Sequence, residues 1–146
     1  MQVNVVFFDI GDTLIFSPTD WVPGAKAALS SLKSKHVRLG IISNTGTFTQ
    51  AQLLPQLPAD FDWNDFEPAL VLLSFEVGII KPDPAIFSLA VQRSGVEATE
   101  CLFCTEDLEH TLVAQSIGMI TARVQKPPQS DIDKLIVALT ASGLLP

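Results

Sequence analysis

Five short apolar runs are spaced along the chain, and helical periods fill the gaps between them. Residues 3–8 form a nearly unbroken apolar run, as expected for a central strand covered on both faces. Residues 37–42, 69–73, 101–104 and 119–124 predict four further strands. Between them, Ala25, Ala28, Leu29 and Leu32 recur at i, i+3, i+4 and i+7, with Lys26, Lys33 and Lys35 on the other side. Residues 83–94 predict a helix with Pro84 in its first turn, a stripe of Ile86, Phe87, Ala90 and Val91, and Gly95 as its stop. Residues 108–117 predict a helix closed by Gly118, and Ile132, Leu135, Ile136 and Leu139 give the last helix, over 131–139. Two stretches resist a clean period. Residues 10–23 contain Gly11, Pro18 and Pro23 and read as mostly loop; residues 47–58 read as a short helix broken by Pro55 and Pro58. Residues 59–68 are polar and irregular, with Phe61, Trp63 and Phe66 placed to fold back on the core.

Strand and helix thus alternate about five times. That pattern predicts a three-layer α/β domain with a mainly parallel five-stranded sheet and right-handed crossovers. No internal repeat or linker divides residues 1–146, so a single domain is expected.

Composition narrows the function. Hydrophobic residues make up 47% and charged residues 17%, which excludes a disordered chain. The net charge of −7, with no basic run, argues against nucleic acid as a partner. The start lacks a basic region followed by an apolar one, and no apolar run reaches the ~18 residues of a membrane span. A cytoplasmic protein without a membrane partner is expected. Cys101 and Cys104 form one C-x-x-C with no second pair, and read as two small buried hydrophobes in a strand.

The polar residues at the strand exits carry the chemistry. Asp9 and Asp12 follow the first strand, Ser43 and Asn44 the second, Lys81 the third, Glu106 and Asp107 the fourth. In a parallel sheet all these exits lie on one edge, where ligands bind. A carboxylate nucleophile, a hydroxyl, a lysine and further acids meeting in one cleft suit phosphoryl transfer, with Mg²⁺ held by carboxylates supplying positive charge. Singly, each has a plainer role: Ser43-Asn44 as a helix cap, Lys81 as a surface lysine, Glu106 and Asp107 as acids at a helix start, and Trp21 as rim or core packing.

In series, these stretches resemble the haloacid dehalogenase-like hydrolase superfamily, and the resemblance covers nearly the whole chain. Phe8-Asp9-Ile10-Gly11-Asp12-Thr13-Leu14 is similar to its first motif, and Ile41-Ile42-Ser43-Asn44 to the second. Gly78-Ile79-Ile80-Lys81-Pro82-Asp83-Pro84 is similar to the third, and Leu102-Phe103-Cys104-Thr105-Glu106-Asp107 occupies the place of the fourth. Asp9, Ser43, Lys81 and Glu106 follow one another at 34, 38 and 25 residues. The resemblance implies a Rossmann-like α/β/α core and a phosphatase acting on a phosphorylated substrate with Mg²⁺. Asp9 would be the nucleophile, and Ser43, Asn44 and Lys81 would bind the phosphoryl group. Asp9, the Gly11 carbonyl and either Glu106 or Asp107 would hold the metal.

The chain departs from the family pattern in two places. Gly11 stands where an aspartate usually serves as acid and base; Asp12 either takes its place or bonds loop amides. Counted back from Gly118-Met119, Thr105 and His110 fall where the fourth motif usually has acids. Both departures motivate an alternative, a catalytically impaired scaffold that binds rather than turns over. The gaps that hold cap domains in larger relatives are short here, so a capless domain is expected. An open cleft favours a large substrate or a homo-oligomer that closes it, and disfavours a dehalogenase, which encloses its small substrate. A receiver domain would carry its acceptor aspartate at the middle strand's end, where this chain has Leu73-Ser74.

Overall fold

A computed structural model describes residues 2–17 and 19–146; Met1 and Pro18, the latter one of the breakers read from the first loop, lie outside the described residues. β1 (Val5–Phe8) lies at the centre of a five-stranded sheet, with all four residues fully buried. β4 (Arg38–Ser43) and β6 (Cys101–Thr105) flank it, and β5 (Val71–Leu73) and β7 (Ile120–Arg123) close the edges, in the order β5-β4-β1-β6-β7. Every pairing in this sheet is parallel.

Alternation along the strands sorts the core into two halves. Val6, Phe8, Leu39, Ile41 and Leu102 face α1 (Ala25–Ser34) and α6 (Ile132–Ala141). Val5, Phe7, Ile42, Leu72 and Phe103 face α4 (Pro84–Ser94) and α5 (Leu108–Ser116). The expected three layers are therefore present. Gly40 is needed within the sheet: a Cβ there would stand 2.6 Å from the Phe7 ring and 2.7 Å from the Leu70 carbonyl, so no larger residue fits this strand position.

Two elements differ from expectation. The first loop holds an antiparallel hairpin of β2 (Ile15–Phe16) and β3 (Asp20–Trp21), with Trp21 tied to Asp60 (Nε1 to Oδ1, 2.7 Å) and stacked on Phe61. Trp21 is thus part of an aromatic cluster with Phe61, Trp63 and Phe66, of which Phe61 and Phe66 fold back on the core as expected. β5 runs straight into a single turn, α3 (Ser74–Val77), that ends at left-handed Gly78 (φ 75°). The short helix after β4 is α2 (Gln50–Leu53), continued by a 3₁₀ turn at Leu54–Gln56. Among the described residues no helix is long and apolar enough to cross a membrane.

Candidate active site

Asp9 is the first residue beyond β1, and its amide donates to the Cys104 carbonyl of β6 (3.1 Å), so the sheet ladder fixes its backbone. Its carboxylate Oδ1 accepts from the Ile10 amide at 2.8 Å and lies 3.0 Å from Lys81 Nζ. The Lys81 side chain is only 1% exposed, and its ammonium sits 5.3 Å from the centre of the Phe103 ring. Burial pushes the lysine pKa below its ordinary value, while Asp9, Asp107 and Glu106 oppose that shift. An ion pair this dry persists only because each charge is the other's partner.

After Asp9 the chain turns sharply. The Ile10 carbonyl accepts from Leu14 and Ile15 amides (3.0 Å each), and Asp12 adopts a left-handed backbone (φ 59°), which aspartate tolerates better than most residues. The loop-amide bonds expected of the Asp12 carboxylate are absent among the described residues; Asp12 contributes its backbone, donating its amide to Ile15 O at 2.8 Å. Thr13, fully buried by the turn, accepts the Glu106 amide at 3.3 Å and ties the first loop to the fourth.

Ser43 ends β4 and is nearly buried beside this edge. The Asn44 side chain turns toward the third loop: Nδ2 donates to the Lys81 carbonyl (3.0 Å), and Oδ1 accepts from the Lys81 amide (2.9 Å). That engagement of Lys81 by Asn44 was not legible in the sequence, since the partners lie 37 residues apart.

At the exit of β6 the strand continues one residue further than expected, to Thr105. The Thr105 hydroxyl, fully buried, donates to Asp9 Oδ2 at 3.4 Å. Glu106 follows, with its carboxylate 3.8 Å from Lys126 Nζ. Its pKa is raised by burial, and the neighbouring Asp107, Asp12 and Asp9 add to the shift while Lys126 opposes it. Asp107 turns to α5 and caps it, accepting the His110 amide at 3.2 Å. His110 Nε2 stands 3.6 Å from Asp107 Oδ2, while its buried Nδ1 has no hydrogen-bond partner among the described residues. Burial and the nearby Lys81 lower the His110 pKa. Two surface concavities, one lined by Lys33, Arg38 and Asp65 and one by Leu54, Leu57 and Phe61, include none of Asp9, Ser43 and Lys81.

A family model of haloacid dehalogenase-like hydrolases matches residues 11–104. The chain belongs to this hydrolase family. Over 123 residues it is 29% identical to the phosphatase MT3486 of Mycobacterium tuberculosis, covering 84% of this chain and 54% of that protein. A glyceraldehyde 3-phosphate phosphatase of Pyrococcus abyssi is 34% identical over 101 residues, 68% of this chain and 40% of that protein. The chain spans about half the length of the curated relatives it matches. Among solved structures, a HAD-family enzyme of Bacteroides thetaiotaomicron, crystallised with magnesium and inorganic phosphate, superposes with a TM-score of 0.69 at 15% identity, covering 86% of this chain and 96% of that one. That likeness shows the shared fold. The chain brings a carboxylate, a lysine and a serine to one edge of the sheet.

Proposed function

We propose that this hydrolase cleaves phosphoric monoesters through a phosphoryl group carried on Asp9. The observation that carries the reading is the buried pair of Asp9, just beyond β1, and Lys81, in the loop that follows α3, 3.0 Å apart. A buried ammonium beside the carboxylate lessens the repulsion an incoming phosphate dianion meets there. A carboxylate oxygen of Asp9 attacks phosphorus, the bond to the ester oxygen breaks, and the leaving alkoxide takes a proton from solvent. Water then attacks the aspartyl phosphate at phosphorus, the acyl phosphate P–O bond breaks, and inorganic phosphate departs with Asp9 restored. Lys81 acts as a point charge on nucleophile and phosphoryl oxygens, and the Ser43 hydroxyl would donate to one of them. The names of the relatives, phosphatases of small phosphorylated metabolites among them, support the substrate class.

The donor set suits a Mg²⁺ site of modest denticity. Among the described residues no group of three or more His, Cys, Asp and Glu side chains could hold a metal ion. Magnesium asks for less, one or two carboxylates with phosphate and water completing six oxygens. Asp9, the Gly11 carbonyl and Glu106 would hold it. Asp107 is committed to capping α5, whereas the Glu106 carboxylate, its pKa raised by burial and then by Asp107, Asp12 and Asp9, has only Lys126 at 3.8 Å as an ion-pair partner among the described residues. When bound, the ion supplies positive charge at the phosphoryl oxygens.

The domain is proposed to act without a cap, since a hairpin of two-residue strands follows the first site loop and only short helical turns follow β4. A second reading, a binding module of impaired catalysis, draws on Thr105 and Gly11 at the acid positions. Hydrolysis of p-nitrophenyl phosphate with Mg²⁺, abolished by Asp9→Asn and accompanied by a phosphorylated Asp9 peptide in mass spectra, is the expected result. A broad panel of phosphate esters without turnover or adduct would leave the binding role standing alone.

A further inference from the structure

Lys81 reaches Asp9 from a stretch without regular secondary structure. The chain leaves α3 at left-handed Gly78, exposes Ile80, and enters α4 only at Pro84. No strand or helix ladder holds the lysine backbone. Among the described residues, both of its backbone hydrogen bonds go to one side chain, the Asn44 carboxamide, which accepts from Lys81 N at 2.9 Å and donates to Lys81 O at 3.0 Å. One acceptor and one donor on the same residue fix the lysine in position and orientation, much as a single rung of a sheet would. Asn44 directly follows Ser43, which is registered against Leu73 of β5. One amide therefore ties the position of the ammonium to the sheet that also positions Asp9.

We infer that Asn44 is a positioning residue: its carboxamide sets the Lys81 ammonium against Asp9 and is not itself a phosphate ligand. The catalytic half of this inference rests on the phosphatase reading; the structural half does not. Both polar atoms of the side chain are already engaged, so recruiting either to phosphate would cost a bond that holds Lys81. A neutral amide also suits the place. Aspartate would keep the acceptor but lose the donor, and would add a second negative charge near Asp9. Alanine would remove both bonds and leave a loop residue to hold a buried charge without backbone support.

Asn44→Ala and Asn44→Asp, compared with Ser43→Ala in the same chain, test the inference by two routes. The first is kinetic, with p-nitrophenyl phosphate as substrate and inorganic phosphate as competing ligand, both with Mg²⁺. Misplacing a catalytic group by about 1 Å costs roughly 10²-fold, so kcat should fall by about that factor in both Asn44 variants. The inhibition constant of inorganic phosphate should rise in Ser43→Ala, and in Asn44→Ala only together with the fall in kcat, because the displaced Lys81 serves the phosphoryl oxygens as well as Asp9. A weakened phosphate affinity with kcat retained in Asn44→Ala would overturn the inference, because Asn44 would then be a ligand. The second route needs no turnover: acetylation of each lysine by an N-hydroxysuccinimide ester, followed by peptide mass spectrometry. Lys81, with its side chain 1% exposed, should be among the slowest lysines in the wild type. It should react about tenfold faster or more in Asn44→Ala, as a group released from a locally closed state does. A Lys81 equally protected in wild type and variant overturns the inference whatever the activity. A Lys81 released in a protein that never hydrolyses phosphate esters supports the positioning role and removes the phosphatase reading. If the alanine variant does not fold, Asn44→Asp carries both measurements.

Discussion

The two sides of the site are built in opposite ways. Toward β4 and β5, polar groups are matched: Lys81 meets Asp9, Asn44 spends both amide atoms on Lys81, and the Thr45 amide donates to Ser74 Oγ at 2.9 Å. Toward β6, groups are left over. Burial and then neighbouring acids raise the Glu106 pKa, Asp107 serves the helix behind it, His110 keeps a buried nitrogen without a partner among the described residues, and a threonine faces Asp9. A cationic side with this much support is preorganised, which is what electrostatic catalysis needs. An acidic side with this little depends on what else enters the site. The contrast places the tolerance to change on the β6 side and the intolerance on the β4 side.

The largest effect should come from breaking the matched side. Asp9→Asn should lower kcat for p-nitrophenyl phosphate by about 10⁴-fold or more, the scale of losing a covalent nucleophile. Lys81→Met should do comparable damage for a different reason, and should also cost about 3 kcal/mol of stability by stranding a buried carboxylate. The Asp9→Asn/Lys81→Met double variant should be more stable than Lys81→Met in urea denaturation. If the double variant shows the full sum of the single losses, the two residues are not the mutually dependent pair the geometry shows.

The next effect should come from filling the gap on the other side. Gly11 has an ordinary backbone conformation, and a Cβ built there meets nothing within 4 Å. Gly11→Asp is therefore sterically free, and placing an acid two residues after Asp9 should raise kcat by about 10²-fold, the lower end of general acid–base effects. The gain should be larger for alkyl than for aryl phosphates, because only the alkoxide needs protonation to leave. An unchanged rate for both would mean that proton transfer does not limit this site.

The same contrast separates what the sequence made legible from what it did not. Asp9, Ser43 and Lys81 could be placed together because each ends an apolar run or follows one, and parallel strands send such ends to one edge. The β6 side could not be read to the residue. With strand side chains alternating faces, extending β6 by one residue decides whether Thr105 or Glu106 faces Asp9. The hairpin β2–β3 escaped notice because two-residue strands offer no alternation to count, and the breakers in residues 10–23 read only as loop. The bonds from Asn44 to the Lys81 backbone went unread, since a side chain clasping a distant backbone leaves no periodic trace.

A smaller effect should distinguish the two fourth-loop acids. Glu106→Gln should weaken Mg²⁺ binding by at least about tenfold, read by titration calorimetry. Asp107→Asn should leave that affinity nearly intact, because asparagine caps helices as well as aspartate and the carboxylate is turned toward α5. Asp107→Ala should cost about 1 kcal/mol of stability through the lost cap. The reverse pattern would move the metal ligand from Glu106 to Asp107.

The smallest effect concerns His110, and its sign follows from linkage. Burial and Lys81 hold its folded pKa below the ordinary value of 6.5. Between the folded pKa and 6.5 the unfolded chain binds more protons than the folded one, so stability rises with pH across that window and is lost as pH falls through it. Above pH 7 the ring is neutral in both states and contributes no slope. His110→Gln removes the titration, so its melting temperature should fall less than that of the wild type between pH 6.5 and pH 5.5. The difference should be about 2 °C or less, since one partly shielded group changes stability by a fraction of 1.4 kcal/mol per pH unit. The buried Nδ1 finds no partner among the described residues, and the nearest carboxylate oxygen to Nε2 is 3.6 Å away, too far for a firm hydrogen bond. If the variant instead steepens the acid loss, His110 gains more from Asp107 on protonation than burial takes away, and the β6 side would be better matched than its geometry indicates.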